Sequence, residues 1–336
     1  MGMISRRRFL KKAGIAIGAG VTSSLLPGSS GRSLAATKVS LALDFVILGR
    51  HAPFYVALQK GFWAERGLEV SISRGFGNVD TARRVGQKQV DFGFTDLPAV
   101  ALLRAQGTPV VQVAMIYQNW PHTIFAKPEI RTPRDLEGRV FGTPPGTTGT
   151  QLMPAFAEVA GFDWSKVKVV NLDAATQNTA LVGGKVDAIS TFRFFVPFFR
   201  SMMPGVSLMA WSDYRWNMYS NGIVAHEEML SQRGEVVRAF LEGALLGYKH
   251  AIANPEEAVA ALLKHRPEVA ADAAGAEQPF IKELAVSPDV VQRGLGYFTP
   301  SKVQFSFEML YRYAELPRSV TAKQVVSEKF LPVVKP

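Results

Sequence analysis

Residues 43–72, LDFVILGRHAPFYVALQKGFWAERGLEVSI, decide the fold. The apolar run just before them, residues 39–43, reads as a strand that ends on Asp44. Residues 53–61 read as a short helix with Gly61 as its stop, and residues 68–73 read as a second strand. A strand, a helix and a strand in this order form the unit from which parallel sheets are built.

The same rhythm continues on both sides. Residues 79–87 read as a helix, 91–95 as a strand, 99–106 as a helix closed by Gly107, and 110–117 as a strand. It restarts at a strand over 123–126. Thr132 then caps a turn with Pro133 at its first position, and a strand follows at 140–142. A helix over 151–160, a strand over 166–173, a helix over 176–183 and a strand over 186–192 come next. From about Glu227 the chain is mostly helical, with amphipathic spacing at 234–253, 255–265 and 305–315. The predicted class is α/β with largely parallel strands. Residues 88–95, KQVDFGFT, and 184–191, GKVDAIST, echo one another, each running through Val-Asp into a strand that ends on Thr. Their separation is too long for a solenoid repeat and suits two lobes built on one plan.

The first residues have a separate logic. Ser5-Arg6-Arg7-Arg8-Phe9-Leu10-Lys11 matches the twin-arginine export pattern, an apolar stretch over 13–26 follows, and small residues around Ala35-Ala36 offer a cleavage site. That stretch is shorter than the ~20 residues a membrane span needs. The expectation is a signal peptide over 1–36 and a soluble chain exported to the periplasm. The 336 residues carry a formal charge of +10, but residues 1–36 hold six of the basic residues and no acid. The rest carries 32 basic against 28 acidic residues, too mild a surplus for nucleic acid. The chain has no cysteine, which excludes disulfides, thiol catalysis and cysteine-bound metal centres.

No phosphate-binding loop of the G-x-x-x-x-G-K-[ST] type occurs, nor a G-x-S-x-G elbow, nor H-E-x-x-H. The five histidines lack metal-ligand spacing, and Glu256-Glu257 after Pro255 read as a solvated first turn. Enzyme chemistry, a cofactor and a metal are therefore not expected. In open α/β sheets, ligands bind beyond the carboxyl ends of the strands. The residues that fall there are Asp44-Phe45, Thr95-Asp96, Asn119-Trp120, the loop GTPPGTTGT at 142–150, and Thr191-Phe192-Arg193. Asp44 either accepts hydrogen bonds from an amine or amidine or caps the next segment. His51 contacts ligand or packs, and Tyr55 belongs to core or pocket. Trp120 can stack on a flat ligand while donating its N–H. The loop at 142–150 either presents backbone N–H groups and the hydroxyls of Thr147, Thr148 and Thr150 to an anion or electronegative ring atom, or is a stiff turn with a Thr cap. Gly149 would allow close approach. Pro154 fits the following helix only if that helix begins no earlier than about Gln151.

Residues 43–72 also carry a family resemblance, through Leu-Asp-aromatic, a loop with His51, the Tyr-Val-Ala helix and Gly-Leu-x-Val. GQKQVDFGFTD at 86–96, Asp-Leu-x-Gly at 135–138, GTPPGTTGT and Gly-Lys-Val-Asp-Ala at 184–188 follow in the same order. The chain resembles the substrate-binding proteins of ABC importers of the sulfonate, nitrate and taurine type, most closely their thiamine-pyrimidine-precursor branch. That resemblance implies a type II periplasmic binding protein fold, with two α/β lobes closing over a small ligand. Lobe one would be 37–123 plus 226–336, and lobe two 124–225. It implies a monomer that works with an inner-membrane permease, and a ligand near Asp44, Phe45, His51, Tyr55, Thr147 to Thr150 and Thr191. Asp44-Phe45 and the aromatic candidates favour an aminopyrimidine or another flat nitrogen heterocycle. A sulfonate, nitrate or carboxylate would use the threonine loop and Arg193 instead. Pyrimidine synthases share the superfamily but carry a cysteine-rich iron motif, which this chain lacks. A binding protein that serves a sensor is a further possibility.

Overall fold

The computed structural model describes residues 36–336 apart from Gly146 and Ala174. The expected export signal thus lies outside the described residues, except for Ala36. Strands β1 (Thr37–Ala42), β2 (Leu68–Ser73), β3 (Phe92–Asp96) and β4 (Val110–Met115) alternate with helices α1 (Ala52–Gln59), α2 (Asn78–Gly86) and α3 (Leu97–Ala105). A second series follows: β5 (His122–Ala126), β6 (Val140–Thr143), α4 (Thr148–Ala160), β7 (Lys168–Asn171), α5 (Gln177–Val182), β8 (Ala188–Phe192), α6 (Val196–Met202) and β9 (Ser207–Ala210). β10 (Asn221–His226) leads into α7 (Glu227–Gln232), α8 (Gly234–Ala253), α9 (Pro255–His265), α10 (Ala271–Ala285) and the C-terminal helices. No helix among the described residues is long and apolar enough to cross a membrane.

The strands form two five-stranded sheets with orders β2-β1-β3-β10-β4 and β7-β6-β8-β5-β9. The plan is the same in each. β1 lies parallel to β2 and β3, and β6 lies parallel to β7 and β8. One antiparallel strand then sits fourth, β10 in the first sheet and β5 in the second. The chain crosses from the first sheet to the second between β4 and β5, and returns between β9 and β10. The central strands β3 and β8 are the two halves of the sequence echo, and the shared aspartate explains it. Asp91 Oδ2 accepts the Ser40 N–H at 2.8 Å, and Asp187 Oδ2 accepts the Val140 N–H at 2.8 Å. In both sheets a carboxylate ahead of the central strand ties down the neighbouring parallel strand.

Every residue of β3 and of β4 is buried, as expected where helices cover both faces of a sheet. Phe240 of α8 stacks on Phe92 at 3.9 Å and on Trp63 at 5.3 Å, which fixes that helix against the first sheet. In the second half Phe156 of α4 stacks on Trp211 at 4.4 Å. β7, by contrast, is exposed along its whole length and forms a sheet edge.

Two expectations change. Residues 207–226, where the pattern gave no strand, hold β9 and β10. β9 is short and half exposed, and β10 begins Asn-Gly, which by itself reads as a turn. The helix expected from Gln151 begins at Thr148, because Thr147 accepts the Thr150 N–H at 3.3 Å and caps it there. Pro154 therefore lies inside α4 and removes one helical hydrogen bond.

Candidate functional site

The carboxyl ends of β1, β3, β6 and β8 open on one cavity of about 370 Å³, lined from both sheets. The antiparallel strands reach it with their first residues: His122 of β5 lines it, and Asn221 of β10 hydrogen-bonds its floor.

Asp44, two residues beyond β1, is 2 % exposed. Its Oδ2 accepts from Arg50 Nη1 at 2.8 Å and from Asn221 Nδ2 at 2.8 Å. Its Oδ1 lies 2.9 Å from His51 Nε2. The Leu48 N–H donates to His51 Nδ1 at 3.1 Å, so that nitrogen is the acceptor and Nε2 carries the proton given to Asp44. Burial alone would push the Asp44 carboxyl up, but the Arg50 guanidinium and then His51 hold it well below the usual carboxylate range. Burial, followed by the charge of Arg50, lowers His51 to about 4, so its ring is neutral near pH 7. Burial opposes the charge on Arg50, yet Asp44 raises that group further above its ordinary value. The guanidinium lies 5.4 Å from the Phe192 ring centroid, a contact between the two halves of the cavity. The Arg50 N–H donates to Glu277 Oε2 of α10 at 2.7 Å, and burial raises Glu277 to about 7.

Asp96 ends β3 and caps α3, accepting the Ala99 N–H on Oδ1 at 2.9 Å and Asn78 Nδ2 on Oδ2 at 2.6 Å. Burial raises it to about 6; the Ala99 N–H and the facing Thr148 side chain, from the opposite half, offset part of that push.

Thr143, Thr147 and Thr150 bond their hydroxyls among themselves, whereas Thr148 faces Asp96 across the cavity. Thr150 Oγ1 donates to the Pro144 carbonyl at 2.6 Å and therefore accepts from Thr143, 2.6 Å away, and Thr147, 2.8 Å away. Gly149 is packed against His122, where an added Cβ would sit 2.7 Å from Nε2. Burial lowers His122 to about 3, which keeps its ring neutral.

Of the residues singled out in the sequence, Asp44, Phe45, Asp96, Thr147, Thr148, Gly149, Thr150, Thr191 and Phe192 line the cavity. Four others do not. His51 stands behind Asp44. Tyr55 is 1 % exposed, and its hydroxyl accepts from Arg266 Nε at 3.0 Å. Trp120 is buried behind His122, stacked on it at 5.1 Å. Arg193 pairs with Glu283 of α10 at 2.5 Å. Among lining residues absent from the sequence reading are Arg50, Asn78, Asp80, His122, Gln177 and Ser190. Applying the strand-end rule to β2 and β7 would have found Asn78, Asp80 and Gln177 in the turns and helix starts that follow. His122 begins an antiparallel strand, which that rule does not cover.

The cavity is acidic. Asp44, Asp80 and Asp96 line it, while Arg50 is its one Lys or Arg among the described residues and is held by Asp44. Its buried side-chain atoms without a partner are Arg50 Nε, Asp80 Oδ2, Gln177 Oε1, Asn178 Oδ1, Ser190 Oγ and His122 Nδ1. Three of these can only accept and one, Arg50 Nε, can only donate, so the arrangement mainly receives N–H and O–H groups. Among the described residues no group of three His, Asp or Glu side chains could hold a metal ion.

The family model described as NMT1/THI5 like matches residues 49–258, and the chain belongs to that family. It is similar to the riboflavin-binding protein RibY of Chloroflexus aurantiacus, 28% identical over 305 residues, covering 88% of this chain and 86% of that one. The formylaminopyrimidine-binding protein of Halalkalibacterium halodurans is 27% identical over 251 residues, 73% of this chain and 74% of that one. A more distant relative, named 4-amino-5-hydroxymethyl-2-methylpyrimidine phosphate synthase, of Legionella pneumophila, is 23% identical over 239 residues, 69% of this chain and 75% of that one. The periplasmic aliphatic sulphonate binding protein SsuA of Escherichia coli superposes with a TM-score of 0.67 at 16% identity, covering 88% of this chain and 99% of that one. The fold is that of the type II periplasmic binding proteins, two α/β lobes with a cleft between them.

Proposed function

We propose that this NMT1/THI5-like protein is the exported solute-binding component of an ABC importer, and that it captures a flat nitrogen heterocycle by lobe closure. The observation that carries the ligand class is the polarity of the cavity: unpartnered acceptors, three lining carboxylates and one guanidinium already held by Asp44. An anion would meet carboxylates there, and a loop whose Thr143, Thr147 and Thr150 hydroxyls are bonded among themselves. A ring bearing amino or imino hydrogens meets acceptors, with Phe45 and Phe76 on one side and Phe192 and Phe195 on the other to cover its faces. The names of the two most similar relatives reported above, binders of riboflavin and of a formylaminopyrimidine, support the same class.

Closure hinges where the chain crosses between the sheets, at 116–121 and 211–220. Lobe one is then about 37–115 plus 221–336 and lobe two about 122–210, since β10 pairs within the first sheet and β5 within the second; the bounds expected from the sequence, 37–123 plus 226–336 and 124–225, would divide both strands. The twin-arginine pattern at Ser5 to Lys11 supports export to the periplasm, and an inner-membrane permease receives the ligand. The protein acts as a binder and not as a synthase: the chain has no cysteine for an iron motif, and the two relatives of higher identity are named as binding proteins.

A thermal-shift screen with riboflavin, a formylaminopyrimidine, an alkanesulfonate and nitrate tests this. A heterocycle at about 100 times its Kd adds about 2.7 kcal/mol to stability, and the two anions add nothing measurable. Stabilisation by sulfonate or nitrate alone refutes the ligand class, and turnover of a bound heterocycle to a new product refutes the binding role.

A further inference from the structure

The heterocycle reading explains why the cavity offers acceptors but not why three of them gather on one stretch of its lobe-two wall. Gln177 is 7% exposed and Ser190 9%, so both are more than nine-tenths buried. Gln177 Oε1 and Ser190 Oγ nevertheless have no hydrogen-bond partner, and the same holds for Asn178 Oδ1 beside them. All three residues line the cavity. They come from elements that pack together: α5, which carries Gln177 and Asn178 at its start, rests on β6 and on β8, which carries Ser190. Buried polar atoms are nearly always hydrogen-bonded, because stripping them of water without a replacement is costly. Three such atoms in one wall mark a place where donors arrive with the guest.

Size points the same way. A cavity of about 150 Å³ holds one benzene ring. This one, at about 370 Å³, has room for a ring against Phe192 and for more besides.

We infer that Gln177, Asn178 and Ser190 form a second subsite, which holds an arm of the ligand carrying at least two hydroxyl or amino donors. The ligand class narrows accordingly, to an aromatic nitrogen heterocycle with a polyhydroxylated or polyamino side chain. This rests on the functional reading above and extends it. The two amide oxygens accept only, while the Ser190 hydroxyl both accepts and donates, so a chain of hydroxyls satisfies the whole wall.

Calorimetric titration of the whole protein with matched pairs tests it: cytosine and cytidine, adenine and adenosine, and an isoalloxazine bearing methyl or ribityl at N10. In the ring system that binds, the armed member binds at least tenfold more tightly than the bare one. That ratio falls to threefold or less in Gln177→Leu and in Ser190→Ala. Asn178→Ala, at the more open position, gives the same reading should Gln177→Leu fail to fold. Equal affinity within a pair, or a ratio untouched by the variants, overturns the subsite while leaving the heterocycle reading standing. Binding by none of the six compounds overturns the subsite, and it overturns the heterocycle reading too when the formylaminopyrimidine of the thermal-shift screen also fails to bind.

Discussion

The two lobes prepare for a ligand in opposite ways. On the lobe-one floor the two central carboxylates are already engaged, and Asp80 Oδ2 and Arg50 Nε are the atoms left unpartnered. Asp44 takes three donors on its two oxygens, and Asp96 is held by Ala99 and Asn78. On the lobe-two wall Gln177, Asn178, Ser190 and His122 each leave a buried polar atom unpartnered. A network complete before binding is rigid and contributes to the stability of the fold. A wall with open acceptors contributes little stability and gains its partners only when a guest arrives. The difference teaches where substitutions should act: on folding in lobe one, on recognition in lobe two.

The largest effect that would break this contrast lies at Asp44. Asp44→Ala leaves the Arg50 guanidinium, 1% exposed, without its counter-charge. Losing one partner of a buried pair costs about 3–5 kcal/mol, read as a lower midpoint in denaturant unfolding. By contrast, Ser190→Ala should change stability by less than about 0.5 kcal/mol, since its hydroxyl accepts and donates no bond in the structure. Comparable losses at both sites would erase the distinction between the lobes.

Asp96 gives a pH-dependent version of the comparison. Its pKa is raised by burial to about 6 from an ordinary value of 3.8. The folded state therefore holds a proton that the unfolded state has released. The contribution is fully present below about pH 3.8 and is lost as pH rises through about 6. Asp96→Asn, which imitates the protonated acid, should gain on the unsubstituted protein between about pH 4 and pH 6 by up to about 1.4 kcal/mol per pH unit, and the difference should level off above that. Unfolding curves measured at a series of pH values check this, and a constant difference across the range would contradict it. His122 works in the other sense. Its pKa is lowered by burial to about 3, so its contribution is present above about 6.5 and is lost as the medium becomes more acid.

Gly149→Ala tests the packing between the threonine loop and His122. The new Cβ would lie 2.7 Å from Nε2, and the imidazole has Trp120 stacked behind it. Overpacking of this kind costs about 1–3 kcal/mol, and the thermal midpoint should fall to match. The smallest effect on stability is expected at the cavity mouth. Phe76 is 68% exposed, so Phe76→Ala should shift stability by no more than about 0.5 kcal/mol. It should still weaken a ring ligand by an amount typical of one aromatic pair, about 0.5–1.5 kcal/mol by calorimetry.

Residues 43–72 were enough to foresee a parallel sheet, because β1, α1 and β2 follow hydrophobic runs and stops that depend only on neighbours in the chain. The echo at Asp91 and Asp187 was legible for the same reason. Its meaning, a carboxylate tied to the parallel neighbour strand in each sheet, required the pairing itself. β10 was hidden, since Asn221-Gly222 looks like a turn until the strand is seen between β3 and β4. At the site, strand-end residues such as Asp44, Asp96 and Thr191 could be picked out from one rule. Arg50 could not, because nothing local marks a lone arginine as the cation buried on Asp44.

What the sequence determined by itself was therefore most of the order of strands and helices and the strand ends they offer, products of short-range periodicity, and the two-lobe plan, read from the echo of 88–95 and 184–191. Tertiary structure alone decided which of those side chains are free. Asp44 looked like the group that would grip a ligand, yet it is held by Arg50, His51 and Asn221, the last of them 177 positions away. The open acceptors belong to Gln177, Asn178 and Ser190, residues of ordinary local appearance. Whether a polar atom has a partner depends on neighbours distant in the chain, and that physical fact has no trace in local pattern.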